Sequence, residues 1–346
     1  VRGRREDPVH RPQRLNGAPM QLPTRERITR LATSVAISLL VLVLIPIWAA
    51  HAAVATIRSR RKTGSTRTIP RHSIDAISLS SVIDRGEPVI LRDLIDHMDL
   101  RVTPDRDGLR QLAAAEQDRF KVRVHKGHSP YFLYTGDYGA ELDHVEKMSL
   151  AEFLDFMFER DPDPDTCTYR LFSVSDLDGA MGAIIDDISD QLGAITDRQP
   201  DRQASGIWVG SEGVVTPLHH DAWTGLLFQM SGSKRVLMFS PDDRPNLSFT
   251  SPFAAGDRWS TLPGRSGDAD PATHPRLARA TRYEATLEEG EVLFIPPFWS
   301  HEIEALEPNI SIPFRFKTGL ADHLNPGFLR PAYEIFHHRF LEDHSR

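Results

Sequence analysis

Residues 216–221 read Thr-Pro-Leu-His-His-Asp. In an extended segment, side chains two positions apart project to the same face. His219 and Asp221 therefore offer one nitrogen and one carboxylate together, while His220 faces the other way. A third ligand has to come from elsewhere in the chain. His301 is the candidate, because it follows Val292-Leu-Phe-Ile-Pro-Pro-Phe-Trp-Ser300, an apolar strand leading into a turn. Two imidazoles and a carboxylate on one face of an octahedron leave three positions open, the arrangement suited to Fe(II) oxygen chemistry. A structural zinc site is disfavoured, since Cys167 is the single cysteine and the set lacks a fourth ligand.

A bare His-x-Asp pair occurs often by chance, so its surroundings carry the reading. Three features fall in one order: Gly213-x-x-Thr216-Pro-x-His219-x-Asp221, a hairpin containing Gly232 and Lys234, and Gly290-Glu-Val-Leu-Phe-Ile-Pro ahead of Trp299-Ser-His301. The elements that must position these residues are short. Ile207–Val209, Thr224–Met230, Arg235–Phe239, Arg282–Thr286, Val292–Ile295 and Ile310–Phe316 are apolar runs separated by Gly, Pro, Ser and Asp. Serial short strands with turn signals predict a sandwich or barrel. Ser231-Gly-Ser233 predicts a tight hairpin, and residues 241–281, rich in Pro, Gly and Asp, predict a long loop.

Upstream the texture is mixed. Pro88–Leu91 and Phe120–Val124 read as strands, Leu109–Phe120 as a helix and Thr168–Val174 as a further strand. Ser149–Phe158 predicts an amphipathic helix, with Ser149 as N-cap and Glu152 three residues on. The acidic segment Asp176–Leu192 and the tail segment Tyr333–Glu342 also read as helical, and no internal repeat is present.

Leu31–Ile57 contains no Asp, Glu, Lys or Arg. About 20 apolar residues cross a bilayer core, so a transmembrane helix is the leading expectation. A cleaved signal peptide is the second reading, with Arg25, Arg27 and Arg30 as its positive region and Ala50-His-Ala52 as its small-residue site. A buried core helix is the third. Residues 1–30 are Arg- and Pro-rich and expected to be disordered, with Met20 as an alternative start. Residues 58–72 read as a basic linker and residues 73–346 as the folded domain. The positive residues after the run outnumber those before it, which favours a single-pass protein with its catalytic domain in the cytoplasm. A net charge of −7 gives no basic footprint for nucleic acid.

Residues 206–316 resemble the JmjC/cupin-type Fe(II)- and 2-oxoglutarate-dependent oxygenases, and in particular the branch of the asparaginyl hydroxylase that inhibits hypoxia-inducible factor. The resemblance lies in Trp208–Asp221 and Gly290–His301 and is looser from about Pro88. It implies a mainly β fold with flanking helices, built on a double-stranded β-helix of jelly-roll type. It implies iron held by His219, Asp221 and His301, and 2-oxoglutarate held through Lys234 and Thr216, with Tyr169 as a further contact. It also implies release of succinate and carbon dioxide as a substrate C–H bond is hydroxylated. The chain departs from that branch at Gly225 and Pro313, where asparagines are expected. Arg315, beside the second of these, could itself hold a carboxylate bidentately and so change the co-substrate geometry, or equally pair with an acidic neighbour. Those departures leave the substrate open. A protein or peptide side chain is the first expectation, and a small molecule or a demethylation is the alternative. A non-catalytic membrane-tethered cupin module is the competitor from another class. The C-terminal helix around Tyr333–Phe340 either supports a homodimer, as in the resembling branch, or caps the barrel.

Overall fold

The computed structural model of the chain describes residues 46, 49–50, 53–114, 119–126, 143–159, 166–173, 179–196, 198–249, 258–262, 265–266, 269–270 and 272–316. The N-terminal part supplies β1 (Ser65–Thr68), β2 (Arg71–Ser73), α1 (Leu79–Arg85), β3 (Val89–Arg92), α2 (Arg106–Ala113), β4 (Arg119–Lys126), β5 (Asp143–Ser149), α3 (Leu150–Phe158), β6 (Thr166–Ser173) and α4 (Gly179–Thr196). The C-terminal part supplies β7 (Gly206–Gly210), β8 (Val215–His220), β9 (Thr224–Ser231), β10 (Lys234–Phe239), β11 (Thr281–Leu287), β12 (Val292–Ile295), β13 (Ser300–Ala305) and β14 (Asn309–Phe316).

These strands form two mixed sheets. One is ordered β1-β11-β10-β13-β8 and the other β2-β3-β12-β9-β14-β7-β6-β4-β5. The eight strands from β7 onward divide equally between them, β11-β10-β13-β8 facing β12-β9-β14-β7, with every pairing among them antiparallel. That is the jelly-roll arrangement expected from the sequence. Residues read there as a basic linker instead extend the sheets: β1 runs parallel to β11 and β2 parallel to β3.

Three buried clusters show how the layers stack. Val236, Met238, Leu227, Leu293 and Ile303 meet between the two sheets. The other face of the larger sheet, through Phe228, Phe294, Ile312 and Phe314, packs under Leu79, Phe153, Leu154 and Ile188 of the helices. The outer face of the smaller sheet, through Leu218, Leu237 and Phe239, is covered by Leu247, Leu262 and Leu277 of the β10–β11 connection. Strands buried on both faces lose the apolar–polar alternation of a half-exposed strand, which is why they read as short continuous apolar runs.

Local signals hold where capping chemistry is explicit. Ser149 Oγ accepts from the Glu152 amide and the Glu152 carboxylate accepts from the Ser149 amide at 2.8 Å, so α3 starts at the predicted cap. The helix expected over Leu109–Phe120 is displaced to Arg106–Ala113. Asp105 accepts from Gly108 N at 2.8 Å and starts it earlier, while Phe120 belongs to β4, paired with β5.

The expectation of a single-pass membrane protein is corrected. Among the described residues no helix is long and apolar enough to cross a membrane. Residues 1–45, and with them most of the apolar run, lie outside the described residues. The helical stretch 53–61 runs out of that segment into Arg58, Arg60 and Arg61. Its end is held on the domain by charge: Arg58 lies 3.6 Å from Asp242, and Lys62 donates to the fully buried Asp243 at 2.7 Å. The membrane anchor and the cytoplasmic single-pass topology built on it are accordingly not supported. Residues 317–346, on which the expected tail helix and its dimer or capping role fall, lie outside the described residues.

Candidate metal centre

β8 is the edge strand of the smaller sheet and pairs with β13 so that His219 lies opposite His301. The two imidazoles are therefore cross-strand neighbours, with ring centroids 4.2 Å apart. Asp221 follows β8 directly, and its Oδ2 lies 4.0 Å from His219 Nε2. One donor atom from each of His219, Asp221 and His301 falls within 4.8 Å of the others. The three sequence-predicted ligands are thus brought to one place.

Protonation suits them to a cation. His219 Nδ1 lies 2.9 Å from Pro217 O, and His301 Nδ1 lies 3.0 Å from Trp299 O. An Nδ1–H donated to a carbonyl puts the imidazole lone pair on Nε2, the tautomer a metal needs. Burial pushes both imidazoles below their ordinary range, His219 well below it, with the His301 neighbour adding to the effect at His219. Burial alone would raise the Asp221 carboxyl, but His219, Arg315, His301 and Arg258 outweigh it and hold it well below the usual carboxylate range. Two neutral imidazoles and an ionised carboxylate are the state that binds a divalent cation without first losing protons. The donor set fits Fe(II) on that ground.

The long β10–β11 connection supplies a wall that sequence reasoning missed. Ser260 N donates to Leu218 O at 2.8 Å and His220 N to Arg258 O at 3.1 Å, so residues 258–260 line up along the free edge of β8. This places Trp259 against His219, with centroids 4.4 Å apart and planes 24° from parallel. It also places Arg258 Nη1 3.2 Å from Asp221 Oδ1. From β14, Arg315 Nη2 lies 3.4 Å from Asp221 Oδ2, and its Nη1 donates to Ala204 O at 2.9 Å. Phe298, at φ 63°, donates its amide to Asp221 O at 2.7 Å and ties the turn before His301 to the end of β8.

His220 sits on the opposite face, buried against Phe249 and Phe298, with Arg244 Nη1 3.2 Å from its Nε2. Burial and then Arg244 push its pKa down to about 3. It packs the outer layer and does not reach the metal centre.

A small cavity opens beside the triad, lined by Trp208, Thr216, Trp223, Gly225, Ile303 and Arg315 along with the three ligands. Lys234 shares the inward face of β10 with Val236 and Met238 and is buried. Its Nζ donates to Ser311 Oγ at 2.6 Å, and among the described residues it has no carboxylate partner. Burial lowers its pKa to about 7. Ser311, fully buried, is a second residue that sequence reasoning missed. Tyr169 lies on β6 with its backbone opposite Gly210 of β7, and its side chain is outside the described residues.

Residues 75–321 match the family described as Cupin-like domain. The chain belongs to that family. Among curated proteins, Jumonji C domain-containing protein 5 of Drosophila melanogaster is 27% identical over 267 residues, covering 75% of this chain and 62% of that protein. HSPB1-associated protein 1 of Rattus norvegicus is 37% identical over 108 residues, 31% of this chain and 22% of that protein. tRNA wybutosine-synthesizing protein 5 of Danio rerio is 34% identical over 115 residues, 33% of each chain. The chain thus spans about three fifths of the first of these relatives and less of the others. The long match to a Jumonji C protein makes this a cupin-like domain of the JmjC type.

For a cupin-like domain, the signals for Trp259 and Ser311 were weak. Trp259 lies in a Pro- and Gly-rich loop, and Ser311 is one serine among apolar strand residues. Only the pairing of the loop with β8, and of Ser311 with Lys234, gives them a place.

Proposed function

We propose that this chain is an Fe(II)- and 2-oxoglutarate-dependent dioxygenase that hydroxylates a protein or peptide side chain. In that reaction 2-oxoglutarate and dioxygen give succinate and carbon dioxide, and a substrate C–H becomes C–OH. The observation that carries the reading is the convergence of His219, Asp221 and His301 on the lining of one cavity, with Lys234 buried on the inward face of β10 and without a carboxylate partner among the described residues.

His219 Nε2, His301 Nε2 and an Asp221 oxygen would hold the iron. When bound, iron supplies the activation of dioxygen that side chains alone cannot perform. The chain's own residues do the rest. The Lys234 ammonium takes the distal carboxylate of 2-oxoglutarate, as a compact buried cation suited to a dianion. Thr216, which lines the cavity from the same strand as His219, donates its hydroxyl to that carboxylate. Ser311 holds the ammonium in place. The apolar walls at Leu226, Leu227 and Ile303 exclude water from the reacting C–H bond. A peptide is preferred to RNA as substrate, although one relative's name refers to tRNA, because the chain carries a net charge of −7.

The test is succinate release by the full chain with Fe(II), 2-oxoglutarate and a peptide panel, with metal affinity measured alongside. His219→Ala should abolish Fe(II) binding. Iron affinity that survives this change would show that the ligand assignment is wrong. An iron-loaded, folded protein that releases no succinate with any peptide would favour a binding module.

A further inference from the structure

Along β14 the side chains of Ser311, Pro313 and Arg315 share one face. Pro313 and Arg315 line the cavity, and Ser311 accepts from Lys234. Ser311 and Arg315 stand four residues apart, about 13 Å along an extended strand. Two separate cations therefore stand along this face of β14: Lys234 against Ser311 at one end, and Arg315 beside Asp221, lining the cavity, at the other. Arg258 joins the second end from the β10–β11 connection.

Arg315 and Arg258 share a single acidic partner among the described residues, which is Asp221. That carboxylate is the one assigned above to the metal. Among the described residues Asp221 is also the sole acidic side chain lining the cavity. Once a divalent cation takes Asp221 and 2-oxoglutarate brings its two carboxylates, the side chains, metal and co-substrate together retain an excess of positive charge. Half-buried cations without a counter-charge are costly, and a guanidinium fork matches a carboxylate bidentately. Both forks reach solvent: the Arg315 side chain is 25% exposed and that of Arg258 51%. Beside them at the mouth stands the exposed Trp223.

We propose that Arg315 and Arg258 form a carboxylate-binding subsite beside the metal centre, and that the substrate is a peptide presenting an Asp or Glu side chain to it. The inference rests on the oxygenase reading. In the metal-free chain Asp221 occupies both guanidiniums. Metal on Asp221 weakens those ion pairs and turns the guanidiniums toward the substrate's carboxylate. Metal and acidic peptide therefore bind with positive coupling, and the coupling is reciprocal. A single phosphate would also suit the fork, but the negative net charge of the chain opposes a polyanion.

The experiment uses the full chain loaded with Mn(II) and 2-oxoglutarate, which avoids turnover. Labelled octapeptide pools containing Asp and Glu are compared with matched Asn and Gln pools by fluorescence anisotropy. The acidic pool should bind about tenfold more tightly. Arg315→Gln should erase that preference, and Arg258→Gln should reduce it. In both variants 2-oxoglutarate affinity, set by Lys234, should move less than about threefold. Omitting Mn(II) should weaken acidic-pool binding. Arg315→Lys, which keeps the charge and loses the fork, serves if the glutamine variant fails to fold. Equal binding of the two pools would overturn the subsite, as would an acidic preference that persists without both arginines. A tenfold loss of 2-oxoglutarate affinity in Arg315→Gln would move that residue to the co-substrate. Free aspartate or a single-stranded RNA octamer that binds as tightly as the acidic pool would overturn the peptide assignment. Failure of 2-oxoglutarate itself to bind the Mn(II)-loaded chain would sink the oxygenase reading, and the subsite with it. Its binding without acidic discrimination would sink the subsite alone.

Discussion

His219 and His301 reach the same state by the same local device. Each places Nδ1 at hydrogen-bond distance from the carbonyl two residues back, Pro217 and Trp299, so each tautomer is set by its own local backbone. The His-x-Asp pair was legible because strand side chains repeat every second residue. The guanidiniums and the indole around it were not, because Arg315 approaches Asp221 across 94 positions of chain and Trp259 approaches His219 across 40. Lys234 carries the sharpest residue-scale prediction. Its pKa stands at about 7 in the folded chain against 10.5 for an ordinary lysine, through burial. Between those values the unfolded chain binds more protons, so wild-type stability rises with pH across that window. Lys234→Met has no such slope. The variant should unfold at higher urea than wild type at about pH 6, with the gap closing toward about pH 9. The same change should weaken 2-oxoglutarate about 100-fold, the loss expected of a buried charge-assisted contact. A variant advantage that grows with pH would contradict the placement of that ammonium.

Among elements, the two strands that carry the ligands were the hardest to read. β8 is Val-Thr-Pro-Leu-His-His and β13 is Ser-His-Glu-Ile-Glu-Ala, yet each is buried along its whole length. Their inward faces border the cavity and their outward faces lie beneath the β10–β11 connection. That cover is partly polar: Ser266 N donates to Glu302 at 2.8 Å, and Arg265 pairs with Glu304. Apolar periodicity cannot find a strand whose layers are held by ion pairs and ligands. The β9–β10 hairpin, by contrast, was legible from Ser-Gly-Ser. Gly232 adopts φ 69°, and a Cβ there would lie 2.4 Å from Pro308 O, so no other residue fits without movement. Gly232→Ala should cost about 1–3 kcal/mol in urea unfolding. It should also raise the KM for 2-oxoglutarate, because the turn sets Lys234 two residues on. An unchanged midpoint would mean the turn relaxes without strain.

On the scale of the whole molecule, the boundary of the domain is where the sequence was least informative. Basic composition marks 58–72 as a spacer, but its arginines and lysine are used at the barrel surface and its backbone as sheet edges. Arg71 lies 2.8 Å from Glu291, and β1 and β2 lengthen the two sheets. The reason is Asp243. That carboxylate is fully buried at the start of the β10–β11 connection, where Ser240 Oγ donates to it at 3.1 Å and Lys62 Nζ at 2.7 Å. A buried carboxylate stripped of its cation keeps its desolvation cost and loses its compensation. The segment before β1 is thus part of the structure that holds the connection, and the connection carries Arg258 and Trp259 to the metal centre. Lys62→Met should cost about 2 kcal/mol, below the usual figure for a buried pair because Lys62 is partly exposed. Asp243→Asn in the same background should restore part of that loss, since the amide needs no counter-charge. Urea unfolding of the two single variants and the double gives the coupling directly. Additive losses would show that Asp243 is satisfied without Lys62 and that the domain starts, as its composition suggests, near Ser73.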